Sequence, residues 1–426
     1  MSLIAYKNAN ILDGTKNMML QENKTILVED NIIKEIINNE DIPNNTKIID
    51  LSGRYVLPGL INLHCHLPGS GKPTNVSKTN SNQSINKLLA NPLGRYIIKK
   101  LCYNYAKTEL LSGVTTMRTV GGLDTIDSQI RDEINSGKII GPHILAANKA
   151  ISVPGGHMAG LLAYSATSSD EARLYVDKIA QAKPDLIKLM ITGGVLDADE
   201  TGVPGAMKMT ESQIEAACKR AHELGFYVAA HVESSEGVKA ALVNGVDTIE
   251  HGATLDDELI HLFKEKKAKL ICTISPAIPM KLLDSNMMPD ERYQINGTIV
   301  CDGIISAAKT ALENGIPVGL GNDVGCPYVT HYDFWRELVY FNKYVGASTK
   351  ETLHIATQGN AKIVGLDNTL GTIEPGKQAD MIVLDKKPLL NLKYLKNVSM
   401  VIKDGKTVKG KLKKNKEIDQ LLDSII

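Results

Sequence analysis

The sequence has no excess of charge of either sign. Lys and Arg together number 48, and Asp and Glu together also number 48, so the formal net charge is zero. A protein that holds a phosphate backbone needs a basic surface, and this composition supplies none. We therefore expect a small-molecule substrate, and no nucleic acid, as the partner.

Long apolar runs and closely spaced cysteines are also missing. No stretch approaches the roughly 18 apolar residues of a membrane-spanning helix. The opening residues, MSLIAYKNANILDGT, lack the basic and apolar segments of a signal peptide. The six cysteines are scattered without CxxC spacing, which argues against a disulfide framework or a zinc module. These absences predict a cytoplasmic protein with reduced thiols and no membrane partner.

The 426 residues exceed what one core usually needs, which predicts a large domain and a smaller one. Both ends of the chain have the pattern of short strands. Asp30-Asn31 and Asp404-Gly405 are hairpin signals between apolar runs. We predict that residues 1–55 and 371–426 together form a small β-sandwich domain, and that residues 56–370 form the larger domain.

In the middle of the chain, short apolar runs alternate with helical patterns. Eight runs follow one another: Val56–Leu63, Val114–Val120, His143–Ser152, Leu186–Thr192, Tyr227–Val232, Thr248–His251, Lys269–Ser275 and Pro317–Asp323. Strands rich in Val, Ile and Leu that alternate with helices indicate an α/β protein with a parallel sheet buried on both faces. Eight units predict a closed (β/α)8 barrel of the TIM type. A doubly wound open sheet is the alternative, although no GxGxxG motif follows the first run.

The ends of these runs carry metal-ligand residue types. His64 and His66 close the first run, and alternate side chains of a strand point to the same side. Reactive groups of a barrel lie at the carboxyl ends of its strands, where two imidazoles form a metal-binding pair. Each such residue could instead be a satisfied polar group at the start of a loop. Three further runs end in the same residue types: His231, His251 and Asp323. Four runs that end in histidine or aspartate favour a metal site.

Lys188 lies inside an apolar run, where a charged amine is costly. Such a lysine must lose its proton, pair with a carboxylate or be modified. A neutral amine can add CO2 to form a carbamate, whose two oxygens could bridge two metal ions. The alternative is that the aliphatic chain stays in the core while the amine reaches the rim of the barrel.

With these residues in place, the sequence resembles the amidohydrolase superfamily, in particular its imidazolonepropionase-like and prolidase-like branch of metal-dependent peptidases. Several motifs stand in the family's order: VLPGLINLHCH at 56–66, IKLMITGG at 187–194, DTIEHG at 247–252 and GTIEPGKQAD at 371–380. The resemblance covers nearly the whole chain. It implies a TIM-like barrel, hydrolysis at a metal centre and assembly into a homo-oligomer.

The resemblance also implies the cofactor and the role of each ligand. Two divalent ions, zinc by preference, would be bridged by a carboxylated Lys188. A hydroxide between the two ions would attack the substrate carbonyl. Asp323 would take up the proton as general base and deliver it to the leaving group as general acid. The ligands of the more buried ion would be His64, His66 and Asp323, and those of the second ion His231 and His251.

Three further residues are expected to contact the substrate. His157 belongs to a Gly-Gly-His sequence that binds substrate in the prolidase-like branch. Arg118 could pair with a substrate carboxylate or, alternatively, with a carboxylate of the barrel. Glu233 stands where peptidases of this branch often carry a tyrosine that helps to hold the substrate's α-carboxylate. A glutamate there would repel such a group and favour a cationic or neutral substrate.

These features predict hydrolysis of the amide C–N bond of a dipeptide, an N-acyl amino acid or a related small amide. A mononuclear deaminase or a cyclic-amide hydrolase of the imidazolonepropionase type is the alternative. Deaminases of the superfamily commonly carry a Glu three residues after the histidine of the fifth strand, where this chain has Ser234. A non-catalytic scaffold is a further alternative, but such a homologue should have lost some ligands, and all six are present here.

Overall fold

The computed structural model describes residues 3–73, 78–288 and 291–426. Within these ranges the strands are β1 (Leu3–Leu12), β2 (Leu20–Glu29), β3 (Ile32–Asn38), β4 (Lys47–Asp50), β5 (Tyr55–Pro58), β6 (Leu60–Cys65), β7 (Val114–Thr119), β8 (His143–Ala146), β9 (Ala150–Ser152), β10 (Ala163–Ser165), β11 (Ile187–Met190), β12 (Val228–Val232), β13 (Thr248–His251), β14 (Lys269–Cys272), β15 (Val318–Leu320), β16 (Met381–Leu384), β17 (Val398–Lys403) and β18 (Lys406–Thr407).

The α-helices of the same ranges are α1 (Lys78–Ala90), α2 (Pro92–Leu111), α3 (Ile126–Asn135), α4 (Ser169–Ala180), α5 (Glu211–Glu223), α6 (Ser235–Val243), α7 (Asp257–Lys266), α8 (Ala277–Leu282), α9 (Glu291–Glu313), α10 (Phe334–Tyr340), α11 (Thr349–His354), α12 (Asn360–Ile363) and α13 (Lys416–Asp423). None of the described helices combines the length and the apolar character that a membrane crossing requires.

One mixed sheet joins the two ends of the chain. Its order is β18-β17-β16-β5-β1-β2-β3, and β4 pairs with β1. Both predicted hairpins are confirmed, since β2 pairs antiparallel with β3 and β17 with β18. Asp30 and Asp404 adopt φ angles of 57° and 51° in the two turns, a conformation that aspartate tolerates. The division of the chain into two domains, one of them a β-sandwich, stays a prediction.

The middle of the chain contains two parallel sheets. One has the order β6-β7-β8, and the other has the order β10-β9-β11-β12-β13-β14-β15. Every residue of β6, β7, β11, β12 and β13 is buried. Strands buried on both faces are typical of a parallel sheet covered by helices. The predicted α/β class with alternating strands and helices is therefore confirmed.

Backbone hydrogen bonds link the two parallel sheets at both edges of the shorter one. The Asp323 N–H, just after β15, donates to the His64 carbonyl in β6 at 3.0 Å. At the other edge, the Asp185 N–H donates to the Ala146 carbonyl at 2.8 Å. Regular strand pairing does not continue across these two junctions. The closed (β/α)8 barrel consequently stays a prediction.

Two of the predicted runs are divided between sheets, so the expectation of one strand per run is wrong for them. The run at 56–63 breaks at Gly59, where β5 leaves the terminal sheet and β6 enters a parallel one. A Cβ at Gly59 would lie 2.0 Å from Thr115 Oγ1, so a close approach of two strands requires the glycine. The run at 143–152 forms β8 and β9, which lie in different parallel sheets. Apolar patterning alone does not show where strand pairing changes partner.

Gly321 should be essential to the junction between β15 and β6. A Cβ at this position would lie 2.4 Å from His64 Cβ and 2.6 Å from the His64 backbone nitrogen. We expect Gly321→Ala to lower the free energy of unfolding by about 1–3 kcal/mol, measured by urea denaturation, because the overpacked strands must separate. Gly303→Ala in α9 is the matched control, because its nearest neighbour would lie at an ordinary 3.6 Å. Equal stability of the two variants would contradict this account.

Candidate active site

Two histidine nitrogens and one carboxylate oxygen converge at the end of β6. The Nε2 atoms of His64 and His66 lie 3.3 Å and 3.2 Å from the same Asp323 oxygen, Oδ1. His66 Nδ1 lies 2.8 Å from the Gly121 carbonyl, and His64 Nδ1 lies 2.8 Å from Glu250 Oε2. These acceptors require a proton on each Nδ1, so Nε2 is the ring atom that is left to face a ligand. Three potential ligand atoms that face one another provide the surroundings of a cation.

A second pair of imidazoles lies beside the first. The His251 ring centroid is 4.7 Å from that of His64 and 4.6 Å from that of His231. His231 Nε2 donates to the Gly193 carbonyl at 3.2 Å, so Nδ1 keeps the lone pair. Burial, reinforced by nearby positive charges, lowers the pKa of both His231 and His251 well below the ordinary value. Both rings are therefore neutral at physiological pH, as metal ligands must be.

The described residues form two overlapping donor groups at this place. Ligand atoms within each group lie no more than 4.8 Å apart. The first group consists of His64, His251 and Asp323, and the second of His231, Glu233 and His251. Because the groups share one histidine, the residues present fit two neighbouring divalent ions. The structure thus brings together the five predicted histidine and aspartate ligands.

Lys188 lines the same cavity from β11. Its side chain is buried, and Nζ has no hydrogen-bond partner among the described residues. Burial lowers the pKa of Lys188 to about 8, although the charge of Glu250 opposes this shift. A sizeable fraction of the amine is consequently neutral near physiological pH, and a neutral amine can react with CO2. The surroundings fit carbamate formation, while the modification itself stays a prediction.

Arg118 does not reach this cavity, and its proposed contact with substrate is not supported. The guanidinium is fully buried in the interior, where Nη2 donates to both oxygens of Glu250 at 2.7 and 2.8 Å. The alternative pairing, with a carboxylate of the protein, is the one observed. Burial raises the pKa of Glu250, but the Arg118 charge and the His64 hydrogen bond together lower it to about 2. Glu250 is therefore ionised and keeps the proton of His64 on Nδ1.

Glu250 is not among the site residues that the sequence predicts. It lies in β13 beside a predicted ligand, and both it and Arg118 occur in otherwise apolar strands. Two opposite charges in buried strands must pair, since either one alone would be costly to bury. That rule could have identified the pair from the sequence.

His157 lies over the second donor group, as expected for a residue near the substrate. Its ring stacks on that of His231 with centroids 4.1 Å apart and planes inclined by 6°. Its Nδ1 lies 2.8 Å from Asp197 Oδ2, and Asp197 also accepts the Gly194 N–H at 2.8 Å. Asp197 therefore orients His157. The sequence pattern did not single out this aspartate, because it lies in a loop remote from the Gly-Gly-His motif.

A cavity that is partly open to solvent lies above the donor groups. Glu233 lines it, and Glu233 Oε2 is buried with no hydrogen-bond partner among the described residues. Cys326 also lines it, with Sγ 3.4 Å from Asp323 Oδ2. Much of the remaining wall is apolar: Met158, Met190, Leu196, Met280, Val300 and Ile304. The site can therefore hold a small, partly apolar molecule against the metal-binding residues.

Two of the ligand residues have an unusual backbone conformation. His251 has a φ of 69°, and Asp323 has a φ of 52°. Residues other than glycine rarely adopt positive φ, at a cost of order 1–3 kcal/mol, and such residues cluster at functional sites. His251 is the last residue of β13 and Asp323 follows β15, and both side chains line the cavity.

Comparisons with known proteins agree with this site. Residues 55–408 match the model of the amidohydrolase family. Ochratoxinase of Aspergillus niger is 25% identical over 422 residues, covering 91% of this chain and 83% of its own. Imidazolonepropionase of Fusobacterium nucleatum is 24% identical over 441 residues, covering 93% and 95% of the two chains.

Solved structures of other proteins are also similar to the structure of this chain. A Bifidobacterium longum protein, described as a candidate prolidase, superposes with a TM-score of 0.87 at 35% identity, covering 100% of this chain and 99% of its own. A Xaa-Pro dipeptidase with methionine bound in its active site superposes with a TM-score of 0.82 at 29% identity, covering 96% and 100%. This chain belongs to the amidohydrolase family. It is accordingly a metal-dependent hydrolase that acts on C–N bonds.

Metal binding should stabilise the folded protein through these ligands. Zn²⁺ at about 100 times its Kd should add about 2.7 kcal/mol of stability to the metal-free protein, because the unfolded chain lacks the assembled site. Differential scanning calorimetry should show this as a rise in Tm. His66→Asn should reduce the rise, whereas His261→Asn, on an exposed part of α7, should keep it. The assignment of these residues as metal ligands would be refuted if Zn²⁺ did not raise the Tm of wild type. It would also be refuted if both variants lost the rise equally.

Proposed function

We propose that this protein hydrolyses the amide bond of a dipeptide, an N-acyl amino acid or a related small amide at a binuclear metal centre. The observation that carries the proposal is the convergence of His64 Nε2, His66 Nε2 and Asp323 Oδ1, with separations of 3.2 and 3.3 Å to the carboxylate oxygen. A second donor group beside it supports a second ion. The likeness to a Xaa-Pro dipeptidase supports an amide substrate of dipeptide size.

The proposed cofactor is a pair of divalent ions, zinc by preference, since nitrogen and oxygen donors suit zinc without excluding other transition metals. Such ions, when bound, supply Lewis acidity that polarises a carbonyl and acidifies water. His64, His66 and Asp323 would hold the more buried ion. His231 and His251 would hold the other, and a carbamate on Lys188 would join the two.

Asp323 is the proposed proton carrier. Its Oδ1 faces the two histidines, and its Oδ2 faces the Cys326 thiol at 3.4 Å. A carboxylate held at the cavity wall can accept the proton of the attacking water and then donate it to the nitrogen of the leaving amine. The second transfer matters because an amide nitrogen leaves as a neutral amine once it is protonated.

Lys188 is the proposed site of carboxylation. Its amine nitrogen would form a bond to the carbon of CO2 and release one proton, which leaves an anionic carbamate. The neutral amine is the reactive form, and the buried position of Nζ favours that form. Among the described residues the buried Nζ atom has no hydrogen-bond partner. Carbamate formation would convert this unpartnered amine into a group that can bind the metal ions.

The position of Ser234 favours this proposal over the deaminase alternative. Ser234 precedes α6, and its hydroxyl accepts the Gly237 N–H at 3.3 Å. It therefore caps a helix at the place where deaminases of the superfamily commonly carry a catalytic Glu. The carboxylate of Glu233, one residue earlier, instead lines the cavity.

We further propose that the two parallel sheets are arcs of one (β/α)8 barrel formed by residues 56–370. The backbone bonds at both junctions, from Asp323 to His64 and from Asp185 to Ala146, support closure. Residues 1–55 and 371–426 would form the small β-sandwich domain, since strands from both ends share one sheet. Homo-oligomer formation and a cytoplasmic location stay predictions.

Asp323→Asn should remove most of the turnover. The amide keeps the size of the side chain and one oxygen, but it cannot carry the proton, so kcat should fall at least about 100-fold. Steady-state kinetics with a panel of dipeptides and N-acyl amino acids would measure the loss, and elemental analysis would establish that the metal is retained. Asp170→Asn, an exposed residue of α4, should behave as wild type. Near-normal kcat in metal-loaded Asp323→Asn would exclude the role.

Lys188→Ala should bind fewer metal ions and turn over little substrate, because the joining carboxylate is lost. Propionate should restore part of both, since its carboxylate can occupy the vacated space. Carbon-13 NMR of wild-type protein in ¹³C-labelled bicarbonate should show a carbamate signal that Lys188→Arg lacks. Metal content equal to that of wild type in Lys188→Ala, without added propionate, would argue against the carbamate.

A further inference from the structure

We propose that the active site selects substrates that carry a cationic group, an ammonium or a guanidinium, and that Glu233 binds this group. The inference rests on the proposed function and specifies its substrate class. It starts from one observation: a buried carboxylate oxygen of the cavity wall, Glu233 Oε2, has no hydrogen-bond partner among the described residues. Buried polar atoms in proteins normally have a hydrogen-bond partner. Because Glu233 lines the cavity, a ligand bound there could donate this hydrogen bond.

The backbone around Glu233 is tightly held. Its N–H donates to Thr192 Oγ1 at 3.1 Å. On its other side, a Cβ added to Gly205 would lie 2.3 Å from the Glu233 carbonyl oxygen. The neighbouring segment therefore passes in direct contact with the Glu233 backbone. A carboxylate on a fixed backbone is preorganised for one direction of approach, which lowers the entropic cost of binding a ligand.

Apart from the proposed metal ions, the side chains that line the site supply little positive charge that could compete for this carboxylate. Lys188 is the single lysine among the described residues that line the inner cavity, and no arginine lines it. An outer groove adjoins the cavity through Glu233 and Val300 and carries no lysine or arginine among its described lining residues. The site therefore offers no cation to hold a substrate carboxylate at this wall, whereas it offers an acceptor for a substrate cation.

The position of Glu233 also separates it from the metal ligands. His231 and His251 line only the inner cavity, whereas Glu233 lines both the cavity and the outer groove. A substrate that enters from the groove must pass this carboxylate. Coordination of a metal ion by Glu233 is the rival role, because its oxygen lies within 4.8 Å of ligand atoms of both histidines. The location at the entrance favours the substrate.

The substrate that fits is thus a small amide with an apolar part and a cation. The apolar part would contact Met158, Met280 and Ile304, and the cation would face Glu233. The cation could be the free α-ammonium of a peptide or the side chain of Lys or Arg. The α-ammonium and the side-chain cation both present positively charged N–H donors. The experiment must therefore distinguish these two sources.

Isothermal titration calorimetry on the metal-loaded full chain separates these sources with two matched ligand pairs. Leucinamide and 4-methylpentanamide differ by an α-ammonium. N-acetylargininamide and N-acetylcitrullinamide differ by a side-chain guanidinium and have no α-ammonium. In at least one pair, the cationic member should bind wild type about tenfold tighter or more, as expected for a charge-assisted hydrogen bond.

Glu233→Gln should abolish this preference while the affinity for the neutral member stays within about twofold. Glu215→Gln is the matched control, because it makes the same change at an exposed carboxylate of α5 that lines neither the cavity nor the groove, and it should keep the preference. Metal content, measured in parallel, should be the same in all three proteins.

Three results would overturn the inference: equal affinities within both pairs for wild type, an equal loss of preference in Glu215→Gln, or loss of metal from Glu233→Gln. The proposed function is judged separately by turnover. Wild type that shows the Glu233-dependent preference but cleaves no amide would refute hydrolysis and uphold the cation site. Wild type that cleaves charged and neutral amides equally well would refute the cation site alone.

Discussion

The buried ion pair between Arg118 and Glu250 sets the protonation on which the site depends. Both side chains are 0% exposed, and either charge left alone there would cost several kcal/mol. Paired with Arg118, Glu250 stays ionised and accepts the Nδ1 proton of His64 at 2.8 Å. The His64 lone pair is thereby directed toward Asp323. This ion pair thus connects β7 and β13 with the end of β6. Because it fixes the proton on Nδ1, it leaves Nε2 as the atom of His64 that could bind a metal ion.

The candidate site concentrates buried polar groups and backbone strain in one place, and this links metal binding to folding. His64 Nε2 and His66 Nε2 lie 3.3 and 3.2 Å from Asp323 Oδ1. His251 and Asp323 also adopt positive φ, which adds backbone strain. A cation bound by the assembled donors would offset the cost of holding these groups together, so metal binding should stabilise the fold.

How far the site could be predicted depends on whether each signal is local in the sequence. The convergence of the candidate ligands could be predicted because strand alternation and strand-end position are local features, as with His64 and His66. The partner of Arg118 lies 132 residues away, so no local pattern indicates it, and only the rule that buried opposite charges pair could have indicated Glu250. The break at Gly59 was missed for the same reason, since Thr115, which the missing Cβ would meet, lies on another strand.

Four of the six predicted metal ligands occupy a different kind of structure from the residues proposed to contact the substrate. His64, Lys188, His231 and His251 lie within buried strands, so their positions are fixed by sheet pairing. Glu233 lies just beyond β12, and the Asp197 that orients His157 lies just beyond β11. Residues at such positions can change without disturbing the strands. Relatives named for different substrates share this fold. Such a separation would let the substrate change through the segments that leave the strands, while the strands that carry most of the predicted ligands stay the same.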